Sequence, residues 1–244
     1  MTFKLTVLGC SGSYPGPGAA CSGYLVQGGG VAVAVDLGPG SLANLQRHVS
    51  LGDLDAVVLT HRHPDHWTDL AGLDVGLTYG VHRRGLPVYG SADTRTKAQC
   101  LIDDLEPAFA WTDIDERSQL RIGSLAFDFS ATDHYVPTLA VRVASDGLVL
   151  AYSSDTGPAW SFAEFGGVID LGLCESTNLA AAEGDGVLHL SARQAGSMAR
   201  HAGVERLVLT HLFPGVARQD YRVEGEAAFG AAVTLAEEGA TYEL

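Results

Sequence analysis

Short apolar runs separated by glycine- and proline-bearing turns fill the first third of the chain. Residues 4–8, 23–26 and 31–35 are rich in aliphatic and β-branched side chains, which predicts three strands. A helix-length stretch at 41–49 and another apolar run at 56–59 follow, and that run stops at Thr60. The pattern next predicts a helix over 65–77, a strand over 86–89 and a helix opening near Ser91, where Ser91 or Asp93 can accept the first free amides. The second half repeats the scheme, with strands at 120–122, 125–129, 140–143, 148–152 and 171–173. Ser191 then caps a helix over 191–201, in which Ala192, Ala195, Met198 and Ala199 recur at helical spacing, and a strand over 206–209 runs into Thr210 and His211. A β-rich half with interspersed helices, occurring twice, predicts two packed sheets covered by helices.

Composition narrows the class. With 46% hydrophobic and 18% charged residues the chain can bury a sizeable core, which excludes disorder, and the absence of repeats or charge blocks predicts one domain over residues 1–244. Leu5 to Val35 carries no charge, but its eight glycines and two prolines make it strands and turns rather than a membrane span. Val7, Leu8, Gly9 and Cys10 resemble a lipoprotein cleavage box, yet too few residues precede them for a signal peptide. Cysteines at 10, 21, 100 and 174 form no CxxC pair; a reducing cytoplasm is expected, with no cysteine-based zinc module. The net charge of −14 repels polyanions and speaks against a dedicated nucleic-acid binder.

The chemistry concentrates in six residues directly after the 56–59 run: His61, Arg62, His63, Pro64, Asp65 and His66. In extended backbone residues two apart point the same way, so His61 and His63 address one point, while Pro64 turns the chain toward a helix. Asp65 and His66 then face a neighbouring point. Neutral imidazole and carboxylate are zinc donors, and at this density two adjacent metals account for the pattern better than one. A solvated polar loop would give no reason for such crowding. Three further candidates stand just past strand-like runs: His134, Asp155 and His211. Strand ends are where layered α/β folds gather their sites. Each alone would read as a surface histidine or a capping aspartate; with the cluster they supply the remaining donors, including a carboxylate able to bridge.

The order of Asp36 within Val35-Asp36-Leu37-Gly38, the histidine cluster, His134, Asp155 and His211 resembles the metallo-β-lactamase fold superfamily. Residues 191–196 and 209–214 are similar to the ribonuclease Z branch and its small phosphodiesterase relatives. The resemblance implies an αββα four-layer sandwich, two mixed sheets flanked by helices, with the metals in a groove at one edge. It implies His61, His63 and His134 on one zinc, Asp65, His66 and His211 on the other, and Asp155 between them; manganese or iron would also suit these donors. Asp36 is then expected to orient the histidine loop by hydrogen bonding without touching metal, or simply to open the turn at 37–40. A His-Glu-Ala-Thr element of that branch appears here as Cys174, Glu175, Ser176 and Thr177, so only its Glu175 carries over. A later His-Ser-Thr element appears as His189, Leu190 and Ser191. Together they imply that His189, held by Glu175, protonates the leaving oxygen; Asp65, as ligand and hydrogen-bond acceptor, is separately expected to orient the attacking water or take its proton. In the plainer reading His189 only enters the helix and Glu175 ends a strand facing water.

Two features of the ribonuclease Z pattern are missing. Twenty residues separate His134 from Asp155, and they are consumed by two strands, which leaves no room for the long arm that grips transfer RNA. The loop Pro15 to Cys21 has no cation where that family carries a basic recognition element. Two zinc ions would offset only four of the fourteen excess negative charges, so attraction is local to the groove. The expectation is therefore a zinc-dependent hydrolase of a small anionic phosphodiester, with a cyclic nucleotide the leading candidate, acting in the cytoplasm without membrane or extended nucleic-acid partners. Relatives are commonly homodimers, and the same is expected here. A transfer-RNA 3′ processing endonuclease is the runner-up; a lactamase- or thioesterase-type acyl hydrolase and a non-catalytic zinc-storing module come next. His48, His82 and His201 read as surface residues, Trp67, Trp111 and Trp160 as core, and His82-Arg83-Arg84 as a solvated loop with a phosphate contact as the alternative.

Overall fold

A computed structural model describes residues 2–244. The first sheet contains β1 (Lys4–Gly9), β2 (Gly23–Gly28), β3 (Val31–Leu37), β4 (Ala56–Val58), β5 (Leu86–Gly90) and β6 (Phe109–Asp113). The second contains β7 (Gln119–Ile122), β8 (Leu125–Ala131), β9 (Leu139–Ser145), β10 (Leu148–Tyr152), β11 (Ile169–Glu175), β12 (Val204–Thr210) and β13 (Thr234–Leu235), while β14 (Thr241–Glu243) returns to the edge of the first. Both follow one plan, in the orders β14-β1-β2-β3-β4-β5-β6 and β13-β12-β11-β10-β9-β8-β7. Four strands pair antiparallel, from β14 to β3 and from β7 to β10, and the remaining strands of each sheet add in parallel.

Strand alternation sorts the apolar residues into three layers. Val7, Val26, Val35 and Val58 of the first sheet meet Phe127, Val141, Leu150, Leu173 and Val208 of the second in the core between the sheets. Leu8, Leu25, Ala34 and Val57, on the opposite faces, meet Leu45 of α1 (Ser41–Leu45), Leu70 and Leu73 of α2 (Leu70–Val75) and Ala98 of α3 (Ala92–Leu101). Ala151, Leu207 and Leu209 likewise meet Ala195 and Ala199 of α4 (Ala192–His201) and Tyr221 and Phe229 of α5 (Arg218–Phe229). Helix, sheet, sheet, helix is the four-layer order. Both faces of most strands are buried, which is why the runs read as continuously apolar.

Ser91 is the cap of α3, accepting from the Thr94 amide at 3.1 Å, while Asp93 pairs with Arg62 instead. Ser191 and Gln194 form a reciprocal capping box on α4. The helix expected over 65–77 is broken: a 3-10 turn spans Pro64–His66, and α2 starts only at Leu70. Trp67 between them leaves the helical region at φ −149°, with its indole buried and its Nε1 donating to the Arg62 carbonyl. The 41–49 helix stops at Leu45. β6, α5, β13 and β14 lie outside the sequence expectation. β9 and β10 are joined by a two-residue turn, Asp146 and Gly147, both at positive φ, so the missing arm is replaced by a tight hairpin. Among the described residues no helix is long and apolar enough to cross a membrane.

Candidate metal centre

The loop after β4 carries His61, His63, Asp65 and His66, the β8–β9 loop carries His134, and Asp155 and His211 follow β10 and β12. These ends converge at one edge of the sandwich. Ligand atoms of His61, His63, His134 and Asp155 lie within 4.8 Å of one another, and so do those of Asp65, His66 and His211. In the first group His63 Nδ1 faces His134 Nε2 at 3.1 Å. In the second His211 Nε2 is 3.1 Å from Asp65 Oδ2 and 3.4 Å from His66 Nε2. Asp155 joins the two groups. Its Oδ2 is 3.6 Å from His61 Nε2 and 3.7 Å from His134 Nε2, while its Oδ1 is 3.2 Å from His66 Nε2 and 3.4 Å from His211 Nε2.

The donors fit divalent metal. His61 Nε2 and Asp155 Oδ1 are buried polar atoms without a hydrogen-bond partner, a costly arrangement unless a cation completes it. Three imidazoles with a carboxylate, beside two imidazoles with carboxylates, are donor sets typical of zinc-class ions.

Four of the imidazoles have their outer nitrogen fixed by protein. His66 Nδ1 donates to Asp36 Oδ2 at 2.7 Å. The Thr60 hydroxyl donates to the same carboxylate at 2.9 Å and accepts from His61 Nδ1 at 3.1 Å. His134 Nδ1 donates to the Leu188 carbonyl at 3.0 Å, and His211 Nδ1 to Thr177 Oγ1 at 2.7 Å. These bonds select the tautomer that leaves each Nε2 lone pair facing inward. Asp36 is fully buried and also accepts from the Thr60 amide and the Tyr152 hydroxyl. It therefore holds His66 directly and His61 through Thr60, and its turn-opening role is compatible with this.

Among the donors' own side chains, charge is divided by surroundings. Burial, with His66 beside it, holds His61 well below the ordinary imidazole range. Burial opposes charge on His66 too, but Asp155, Asp65 and Asp36 surround it and raise it well above that range. Burial disfavours the Asp155 carboxylate, yet the imidazoles of His211 and His66 hold it well below the usual value.

Glu175 does not face water: it is fully buried at the end of β11. Its Oε1 accepts from the Thr156 amide and from His189 Nδ1, both at 3.0 Å; its Oε2 accepts from the Thr177 amide at 3.0 Å and hydroxyl at 2.8 Å. Burial disfavours charge on His189, but the Glu175 carboxylate overrides it and pushes the imidazole up to about 9. A His189 ring nitrogen lies within 4.8 Å of ligand atoms of Asp155 and His211, and its ring stacks on His211 with centroids 5.6 Å apart.

Residues 32–212 match the family model of the beta-lactamase superfamily domain. The chain belongs to the metallo-β-lactamase fold superfamily. The probable metallo-hydrolase YhfI of Bacillus subtilis is 32% identical over 246 residues, covering 99% of this chain and 100% of that protein. Its crystal structure superposes with a TM-score of 0.92 at 30% identity, covering all of both chains. An uncharacterized protein of Mycobacterium tuberculosis is 32% identical over 255 residues, covering 100% of this chain and 93% of its own. The short form of human tRNase Z shares the fold, at a TM-score of 0.76, 21% identity and 98% coverage of each chain. The protein is thus a metallo-hydrolase of the β-lactamase fold.

The structure brings His61, His63, Asp65, His66, His134, Asp155 and His211 together; Asp36 is hydrogen-bonded to His66, His189 stands within 4.8 Å of ligand atoms of Asp155 and His211, and Glu175 is hydrogen-bonded to His189. The sequence reading gave no role to Thr60 or Thr177, which hold His61 and His211, nor to the Ser13 amide, which donates to Asp65 Oδ2 at 2.9 Å. Thr60 stood in plain view between the apolar run and the first histidine. His48, His82 and His201 are exposed, and Trp67 and Trp160 are buried in the outer cores with Trp111 packed against one of them. Arg83 is occupied by the carbonyls of Leu51, Gly52 and Leu54, so it braces a loop rather than facing the site.

Proposed function

We propose that the protein is a dinuclear, zinc-class phosphodiesterase that hydrolyses a small phosphodiester, with a cyclic nucleotide as the leading substrate. One observation carries this: Asp155 turns one carboxylate oxygen to each of two adjacent donor sets, and His189 with its Glu175 partner stands beside them. His61, His63 and His134 would hold one ion, and Asp65, His66 and His211 the other. Divalent ions held there would supply positive charge for the phosphoryl oxygens and would make a nearby water acidic enough to react at neutral pH.

The chain's own residues supply the proton transfers. Asp65 orients the attacking water and takes its proton as the new P–O bond forms. The ester P–O bond opposite breaks, and the departing oxygen receives a proton from His189, whose Nδ1 is occupied by Glu175 so that Nε2 is free to donate. The products are a phosphomonoester and an alcohol, or one ring-opened nucleotide from a cyclic diester. The tight β9–β10 turn and the cation-free loop from Pro15 to Cys21 support a compact substrate over a long RNA.

Metal analysis of gently purified protein should find about two ions per chain. The loaded protein should then hydrolyse cyclic nucleotides and bis-p-nitrophenyl phosphate. Site-specific cleavage of precursor transfer RNA would promote the endonuclease reading, and turnover of lactams or thioesters alone would replace phosphodiester chemistry altogether.

A further inference from the structure

Two exposed aromatic residues, Tyr14 and Phe213, sit one and two positions along the chain from residues that touch or form the donor cluster, Ser13 and His211. Tyr14 follows Ser13, whose amide donates to Asp65 Oδ2 and lies 3.4 Å from His211 Nε2. Phe213 is two residues past His211, so its Cα lies within about 7.5 Å of that of His211. The rings meet edge to face, with centroids 5.5 Å apart and planes at 83°. They remain 47% and 39% exposed.

Both are held in place. The Gly12 amide donates to the Leu212 carbonyl at 3.0 Å, the Leu212 amide to the Cys10 carbonyl at 2.9 Å, and the Phe213 amide to the buried Tyr221 hydroxyl at 3.1 Å. The Tyr14 hydroxyl reaches the Pro214 carbonyl at 3.4 Å. Gly12 packs so closely on His211 that a Cβ there would sit 2.5 Å from its carbonyl oxygen. The backbone that carries both rings is thereby seated on His211.

Fixed aromatic surface beside a polar centre recognises planar groups by stacking, at little entropic cost. Among the described residues no lysine or arginine side chain hydrogen-bonds to a donor residue, and Pro15 to Cys21, which continues the Tyr14 loop, is uncharged. A diester seated on the cluster by its phosphate would have this uncharged, aromatic pair as a neighbour. We infer that Tyr14 and Phe213 form the binding surface for the nucleobase of the substrate, which makes the substrate a nucleotide ester rather than a sugar or lipid-headgroup diester. This rests on the phosphodiesterase reading above and goes further by naming what the base of the substrate touches.

The test separates the two. Calorimetry on metal-loaded protein compares adenosine 5′-monophosphate with methyl phosphate, which share the phosphate and differ in the nucleoside. Wild type should bind the nucleotide about 5- to 100-fold more tightly, the range that stacking on one aromatic supplies. The Tyr14→Ala, Phe213→Ala double variant should lose that margin and keep its affinity for methyl phosphate; Phe213→Leu, which preserves apolar bulk, serves the same purpose if the double variant folds poorly. Kinetically, KM should rise for thymidine 5′-(p-nitrophenyl phosphate) and stay unchanged for methyl p-nitrophenyl phosphate. Equal wild-type affinity for the two monoesters overturns the base-binding surface, as does a variant that weakens both or neither. A wild type that prefers the nucleotide yet cleaves no diester keeps that surface and removes the phosphodiesterase reading. One that cleaves both diesters with equal KM does the reverse.

Discussion

Replacing His189 with alanine tests the proton-transfer assignment, because the structure separates its expected effects on chemistry, on metal and on folding. The imidazole has one strong anchor, the 3.0 Å bond from Nδ1 to Glu175, and its side chain is 20% exposed. After substitution Glu175 keeps three donors, the Thr156 amide and the Thr177 amide and hydroxyl, so no orphaned carboxylate is left. The stability loss should stay near that of one charge-assisted hydrogen bond, about 1.5–3 kcal/mol. The chemical loss is of another kind. General acid catalysis contributes about 10²–10⁴-fold, and only where the departing oxygen needs a proton. His189→Ala should therefore slow a cyclic nucleotide or dialkyl diester by that factor in kcat. It should leave bis-p-nitrophenyl phosphate close to wild type, since nitrophenolate departs without protonation. Glu175→Gln, which keeps the shape and removes the charge, should fall between wild type and His189→Ala on the alkyl ester. Metal content by elemental analysis is the control that matters most, because His189 also lies within ligand range of Asp155 and His211. A drop in bound metal would make it a ligand. Equal losses on the two substrate types, or none on either, would refute its role as acid.

Other outcomes follow from the same geometry. Asp155→Ala removes the one carboxylate with an oxygen toward each donor set, so it should deplete both ions, whereas His63→Ala should affect chiefly one; an Asp155 variant that keeps two tightly held ions in elemental analysis refutes the bridging position. Gly38→Ala would set a Cβ 1.9 Å from the Asp65 carbonyl oxygen and 2.8 Å from Cys21 Cβ, backbone and core that have no room to give. Overpacking of this kind costs about 1–3 kcal/mol, and a calorimetric scan should show a Tm lower by roughly 3–10 °C; an unchanged Tm would show that the loop carrying Asp65 is looser than this packing implies.

The candidate donor cluster was legible because its chemistry is concentrated and its position is simple. Three imidazoles within six residues at a strand end crowd too many metal-binding nitrogens together for an ordinary turn, and His134, Asp155 and His211 also follow strands that read clearly as apolar runs. The helix α5 was not legible. Its buried residues Tyr221, Gly225 and Phe229 recur every four positions, but one is glycine and the rest of the helix is polar, so no apolar stripe stands out. β6 and β14 sit at sheet edges and expose polar residues, which removes the continuous run that marks the inner strands. The break at Trp67 was hidden for a different reason: the apolar spacing across 65–77 is helical, while a buried indole bonded to the Arg62 carbonyl sets the backbone. Thr177 could not be ranked either, because a threonine hydroxyl announces nothing until its partners, Glu175, His189 and His211, are seen around it.

What the sequence could least reveal is that each donor set is shared between the sheets. His61 and His63 come from the first sheet and meet His134 and Asp155 from the second; Asp65 and His66 come from the first and meet His211 from the second. A small slide of one sheet on the other would open both sets at once, so the donors require a rigid joint beneath them. Two tyrosines supply it at the top of the inter-sheet core. Tyr24 of β2 shares a 2.7 Å hydrogen bond with Thr210 of β12, next to His211. Tyr152 of β10, three residues before Asp155, donates to Asp36 of β3 at 3.2 Å. Their rings pack with centroids 4.8 Å apart. Each bond crosses from one sheet to the other and ends on or beside a residue that holds a donor, so the position of the imidazoles is set by the core packing as well as by their own loop. A bound cation, gripping both sheets, would tighten the same joint from above, which couples metal binding to the stability of the fold.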